Sequence, residues 1–374
     1  MSTVEVRYHR PESCFKAADL QRPRVAAAIM PVGKYFYIVG GYRVHPSRPL
    51  GCVEIYSPWL NKWTRFDSSM QLPRFGHGLA LVENRYLYAI GGTSKDELVS
   101  EVEILDTHTN KWIRHEKKRI HLPRPLTGGR VLENNGRLFI VGGVLRRYPP
   151  QLSDLIYILD TTTTPCSWSV LSVRLSAGRS SCGVAWLDES RSCFGVFGGN
   201  AVINRELIEV STTEVVSLDS QYFVPLQEAA TPGTVSRAAF TEVIPDMPTA
   251  RAGCYAVKVG SRVVVIGGDP PSAALRFHLQ EAMNAGELHR PAESAHSNAF
   301  ILDMCEWTWA KEGSMFTGRS TAAICIGFAP PVPAVEAGPP NPGTLSNPES
   351  PAHPGLVLGL LDEVEDWLGI AASS

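Results

Sequence analysis

YIVGG (37–41), YAIGG (88–92), FIVGG (139–143) and VVIGG (264–268) are one motif written four times, and VFGG (196–199) is a shortened fifth. Each is a run of aromatic or β-branched residues closed by two glycines. Such runs favour strands. The first two intervals between glycine pairs are 51 residues and the last stretches to 69. A strand-like run recurring at about fifty residues marks a repeated sheet unit.

The flanks repeat too. An arginine leads the strand before each pair: Arg24, Arg74, Arg124, Arg179 and Arg251, with Arg319 opening TGRSTAAICIGF without a glycine pair after it. A further strand follows each pair: VEIYS (53–57), VEILD (102–106), IYILD (156–160), VVSLD (215–219) and AFILD (299–303). Six residues past that strand stands Trp63, Trp112 or Trp309; in the third repeat Trp168 stands eight past, and the fourth repeat offers only Tyr222 and Phe223. One unit therefore holds four strands. A lone four-stranded sheet leaves a face bare, so such units pack radially against one another. The glycines remove Cβ where backbones crowd, and the tryptophan fills the wedge between neighbours.

On the glycine pairs, the aromatics before them (Tyr37, Tyr88, Phe139), the arginines and the Asp-to-Trp spacing, the chain resembles kelch-repeat β-propellers over roughly residues 4–328. Gly195 and Val264 depart from the aromatic position. The expected fold is all-β: a six-bladed kelch-type propeller closed by N- and C-terminal strands in one blade. Residues 4–19 are expected to give its outer strands and 319–328 its innermost. GLVLGLL (355–361) is the candidate second strand; an amphipathic helix over 356–368, or a strand followed by a short helix, fits the same residues. The expected organisation is a propeller over 1–328, a Pro/Gly-rich linker or long loop over 329–354, and a C-terminal segment over 355–374 that contains the acidic DEVEDW (362–367).

Composition narrows the function classes. A hydrophobic fraction of 44% suits a large core, and a net charge of −2 argues against a general nucleic-acid or membrane-surface binder. No secretory leader pattern and no apolar run long enough to span a bilayer is visible. The eight cysteines lack CxxC spacing and read as buried thiols in a reducing, cytoplasmic setting. The ten histidines show no HxH or HxxxH spacing, so no metal or other cofactor is expected.

Three features are candidates for partner binding. The six arginines are expected to ring one mouth of the central channel, where guanidinium groups suit carboxylates. Resemblance to BTB-kelch adaptors implies an acidic peptide there; the competing role is structural, with Glu5, Glu54 and Glu103 as internal partners. The run KWIRHEKKRIHLPR (111–124), including Lys117, Lys118 and Arg119, joins Arg146 and Arg147 in a basic patch over the second and third repeats. The third is the long loops, 226–247 and 269–297. In the latter Leu275, Leu279 and Met283 share one side of a helix-like stretch. The functional expectation is a non-enzymatic scaffold or adaptor for protein partners, acting as a monomer or within a larger complex. The alternative is a propeller enzyme, because the resemblance extends to a copper-radical oxidase, a sialic-acid epimerase and iron-dependent specifier proteins.

Overall fold

A computed structural model describes residues 2–7, 14–113, 120–218, 223–229, 234–237, 244–268, 298–314, 324–327 and 356–362. Every regular element among them is a strand. Blade 1 runs Ala28–Val32, Tyr35–Val39, Cys52–Ser57 and Lys62–Ser69, each strand antiparallel to the next. Blade 2 repeats this with Gly78–Val82, Tyr86–Ile90, Glu101–Asp106 and Lys111–Ile113, and a short fifth strand, Ile120–His121, also pairs with Glu101–Asp106. Blade 3 begins Arg130–Asn134, Arg137–Val141, Ile156–Asp160 and Ser167–Leu171, then gains a fifth strand, Phe223–Pro225. Blade 4 has three described strands, Gly183–Trp186, Cys193–Phe197 and Thr213–Ser217. Blade 5 has four: Tyr255–Val259, Arg262–Ile266, Asn298–Asp303 and Thr308–Ser314.

The expectation of six blades is corrected to five. The blades follow the five glycine pairs, not the six Arg-led segments. Residues 319–328 have no glycine pair after them to mark a second strand crowding its neighbour. The terminal segments form a separate four-stranded sheet in the order Cys14–Ala17, Ser2–Arg7, Leu356–Asp362, Ile324–Gly327, antiparallel throughout. The side chains of this sheet lie outside the described residues. Leu356–Asp362 is a strand, which removes the helix over those residues; 363–368 lie outside the description. So do the linker 329–354 and the insertion 269–297.

The core sits between blades. Tyr37, Val53, Leu87, Leu105 and Trp112 pack blade 1 on blade 2. Tyr88, Leu138, Tyr157 and Leu159 do the same for blades 2 and 3. Phe139, Ile158, Phe194 and Val216 join blades 3 and 4, and Phe197, Met247, Cys254 and Val265 join 4 and 5. Alternate residues of each strand face opposite neighbours, so each sheet is apolar on both sides.

The glycine pairs couple the blades through the backbone. In four successive pairs the second glycine donates its N–H to the next blade: Gly41 to Arg74 O at 2.9 Å, Gly92 to Leu126 O at 2.8 Å, Gly143 to Arg179 O at 2.7 Å, Gly199 to Arg251 O at 2.8 Å. At Gly91, φ is +66° and a Cβ would stand 2.6 Å from the Leu126 carbonyl oxygen. Only glycine fits there.

The weak fourth repeat has a structural counterpart. It lacks the tryptophan, and the chain leaving Thr213–Ser217 crosses back to the edge of blade 3. There Phe223 packs edge-on against Phe139, with ring centres 6.4 Å apart, and under the Arg137 guanidinium at 4.9 Å.

Candidate functional site: arginine clamps and a basic face

The sequence expectation rests on arginines, and the structure divides them into two kinds. Arg74 is fully buried. Its Nη2 meets Glu103 Oε1 at 2.5 Å, its Nη1 donates to the carbonyls of Gly91 at 3.1 Å and Glu101 at 2.6 Å, and Nε donates to Leu72 O at 3.2 Å. Glu103 in turn accepts the backbone N–H groups of Gln71 at 2.7 Å and Leu72 at 3.1 Å. The pair thus pins the loop that leads into the innermost strand onto the third strand of the same blade. Arg24 with Glu54 repeats this in blade 1, with Gly40 O as a further acceptor. Arg179 with Glu214, at 2.5 Å, repeats it in blade 4, with Gly198 O and Thr212 O accepting from Nη1.

Blade 5 keeps the arginine and changes the partner. Glu54, Glu103 and Glu214 each pair with the strand residue two before the glycine pair; in blade 5 that partner is Phe300. The Arg251 guanidinium lies over the Phe300 ring at 4.3 Å and donates to Gly267 O at 3.1 Å. Burial lowers its pKa to about 10.

Blade 3 has neither group. The register places Leu126, not Arg124, at the arginine position. Its carbonyl takes the N–H of Gly92 as that of Arg74 takes the N–H of Gly41, and Thr127 bridges Val144 as Phe75 bridges Thr93. The glutamate position is Tyr157, opposite Ile140. Both members of the ion pair are replaced together, leaving buried Leu126 and Tyr157. Such a joint replacement leaves no stranded buried charge. Arg124, two residues earlier, is exposed.

The expected ring of ligand-binding arginines is therefore corrected. Arg24, Arg74, Arg179 and Arg251 are at most 5% exposed, with donors engaged inside their own blades. Arg319 lies outside the described residues, as do Lys117, Lys118, Arg119, Leu275, Leu279 and Met283, and the side chain of Glu5. Glu54 and Glu103 are internal partners as the structural alternative anticipated. Glu214 was not anticipated, although its TEVVS strand carries the glutamate at the matching place.

Of the basic run and hairpin, the described arginines are Arg124, Arg146 and Arg147. Arg146 and Arg147 are exposed at the tip of the hairpin between the second and third strands of blade 3, formed by Val144–Arg146 and Gln151–Leu152. The Thr127–Val144 bridge brings the Arg124 loop to the base of that hairpin. Arg147 Nη2 reaches Thr93 Oγ1 of blade 2 at 3.0 Å, and Arg146 Nε donates to Pro149 O at 3.2 Å. Sequence reasoning missed the apolar part of this face. Tyr148 is 77% exposed at the same tip. Val202 and Ile203 are exposed on the neighbouring hairpin of blade 4, Asn200–Ile203 with Glu206–Glu209. Their signal was available: Val202 and Ile203 precede Asn204-Arg205, a turn with φ of +52° and +68°.

Among the described residues, no group of three or more His, Cys, Asp or Glu is placed to hold a metal ion. No helix among them is long and apolar enough to cross a membrane. The six described cysteines are free; Cys52, Cys182 and Cys254 are buried, and burial pushes the Cys182 thiol up to about 11.

Comparison with known proteins agrees with this architecture. The KLHDC2/KLHL20/DRC7 Kelch-repeats domain matches residues 25–268. Kelch-like protein 15 of Danio rerio is 24% identical over 277 residues, covering 70% of this chain and 41% of that protein. Human Kelch-like protein 25 is 28% identical, covering 36% of this chain and 23% of its own length. The tRNA wybutosine-synthesizing protein 2/3/4 of Oryza sativa subsp. japonica is 35% identical over 99 residues, 26% of this chain and 9% of that protein. The chain thus spans less than half the length of each of these relatives. A solved structure titled "Structure of YjhT" superposes with a TM-score of 0.59 over 80% of this chain and 88% of its own, at 13% identity. That similarity concerns the fold alone.

Proposed function

This chain belongs to the kelch-repeat propeller family, and from that premise we propose that it is a non-enzymatic interaction scaffold whose hairpin face binds an acidic segment of a partner protein. The carrying observation is the release of Arg124 in blade 3. The one described blade that buries neither member of the Arg–Glu pair exposes Arg124, Arg146 and Arg147 on the same face. Tyr148, Val202 and Ile203 stand beside them as apolar anchors. Tyrosine and arginine are the residues that dominate protein interfaces. Exposed guanidinium groups attract carboxylates at long range and pair with them in bidentate fashion at contact. The free cysteines fit a reducing compartment such as the cytoplasm.

The test is binding of the full chain to an immobilised peptide array that varies acidic content and one apolar position. Selection of acidic peptides is expected, weakening as salt rises. The triple variant Arg124→Ala, Arg146→Ala, Arg147→Ala should lose at least about tenfold in affinity while the chain stays folded, since all three are exposed. Absence of charge preference in the array, or full binding by the triple variant, overturns the reading.

A further inference from the structure

Residues at the innermost strands of the five blades line an open axial cavity of about 140 Å³. Its wall mixes polar and apolar surface, with Ile29, Leu79, Val131 and Val184 among the lining residues. One residue breaks the pattern. The first position of the innermost strand is Ala28, Gly78 and Gly183 in blades 1, 2 and 4, and Tyr255 in blade 5; in blade 3 it is Arg130.

Arg130 is held across the channel. Nε donates to Cys182 O of blade 4 at 2.8 Å, and Nη2 to Cys254 O of blade 5 at 2.9 Å. The guanidinium stacks on the Tyr255 ring at 3.8 Å. These contacts fix the plane of the fork, and none of them neutralises it. Among the described residues Arg130 has no carboxylate partner, and Nη1 has no protein acceptor. Arginine keeps its charge under all physiological conditions. Arg130 is half-buried, so the free edge of its guanidinium is open to an anion entering from solvent.

We propose that the axial cavity is a binding site for a small organic carboxylate, with the carboxylate on Arg130 Nη1 and the apolar body against the inner-strand side chains. The cavity sets the size. An engineered apolar cavity of about 150 Å³ admits benzene, so a body of roughly one six-membered ring fills the space. The wall sets the class. One fixed guanidinium beside apolar side chains matches a monoanion bearing a hydrocarbon body better than a highly hydrated inorganic anion. This site lies on the propeller axis, away from the hairpin-tip arginines, and stands independently of the scaffold reading.

The experiment is calorimetric titration of the full chain with sodium benzoate at constant ionic strength. Benzyl alcohol serves as the uncharged isostere and sodium phosphate as the inorganic anion. Saturable one-to-one binding of benzoate is expected, at least tenfold tighter than either control. Arg130→Met should abolish the preference for benzoate over benzyl alcohol. Because Arg130 ties three blades together, Val184→Phe provides a second variant that fills the cavity without removing the cation, and it should abolish benzoate binding while the chain stays folded. Absence of saturable benzoate binding, equal binding of the alcohol or the phosphate, or full benzoate binding by folded Val184→Phe overturns the proposal.

Discussion

Replacing Glu103 by Tyr copies one half of what blade 3 does naturally, and leaves Arg74 behind. Arg74 is fully buried, and its Nη2 faces Glu103 at 2.5 Å. Removing one partner of a buried pair typically costs about 3–5 kcal/mol. The Glu103 side chain retains 14% exposure, which places this case near the lower end, about 3 kcal/mol. Two backbone donors, Gln71 N and Leu72 N, also lose their acceptor, for roughly 1 kcal/mol each. The single variant should therefore be about 4–5 kcal/mol less stable. Adding Arg74→Leu completes the Leu126/Tyr157 arrangement and removes the stranded charge. The double variant should recover about 2–3 kcal/mol, retaining mainly the cost of the two donors. Blade 3 avoids one of them, because Pro123 stands where Gln71 stands and has no N–H. Urea unfolding of the wild type, both single variants and the double variant gives the coupling through a double-mutant cycle. A coupling below about 0.5 kcal/mol, or a double variant no more stable than Glu103→Tyr alone, refutes the clamp.

Two further outcomes follow from backbone and charge. Gly91→Ala should cost about 3 kcal/mol, combining the left-handed backbone at φ +66°, the 2.6 Å approach to Leu126 O and the weakened bond from Gly92 to that oxygen. Gly33→Ala, at φ +56° with open space around it, should cost only about 1 kcal/mol, and equal melting losses for the two would remove the case for close approach. Burial, with Arg74 nearby, lowers the His77 pKa from 6.5 to about 3. Between those values the unfolded chain binds a proton that the folded chain refuses, so this contribution is complete above about pH 6.5 and is lost as pH falls, by up to about 1.4 kcal/mol per pH unit. His77→Cys, which copies the residue at the matching places 182 and 254, should flatten the fall of the urea midpoint between pH 6.5 and 5. Identical slopes would count against the burial of a neutral imidazole.

Much of the fold was legible because its requirements are local. The glycine pairs must adopt positive φ where a neighbouring carbonyl approaches, and no other residue does this without strain, so they recur visibly. The strands around them carry apolar residues at consecutive positions because both faces of each blade are covered. The glutamate partners of Arg24 and Arg74 were readable from strand position alone. The blade count was not. Arg319 begins a segment that looks like the others, but an arginine before a strand does not show which sheet that strand joins. The paired termini are a sheet of residues far apart in the chain, and nothing local specifies that pairing.

The candidate sites show the same division. The sequence alone determined that this is a kelch-type, all-β repeat protein with arginines at the innermost strands and a basic run near residue 117. Only the tertiary structure decided which arginines are free. Arg124 follows a proline and precedes a strand, as Arg74 does, and by spacing it is the obvious equivalent. The Gly92-to-Leu126 hydrogen bond moves the register by two residues, which puts Leu126 in the core and Arg124 in solvent. Arg130 carried no signal at all, because its importance comes from carbonyls 52 and 124 residues away that converge on one axis. Repetition along the chain reveals what every blade must share. Which side chains meet at the centre and on the open face depends on closing the ring, and that is decided in space.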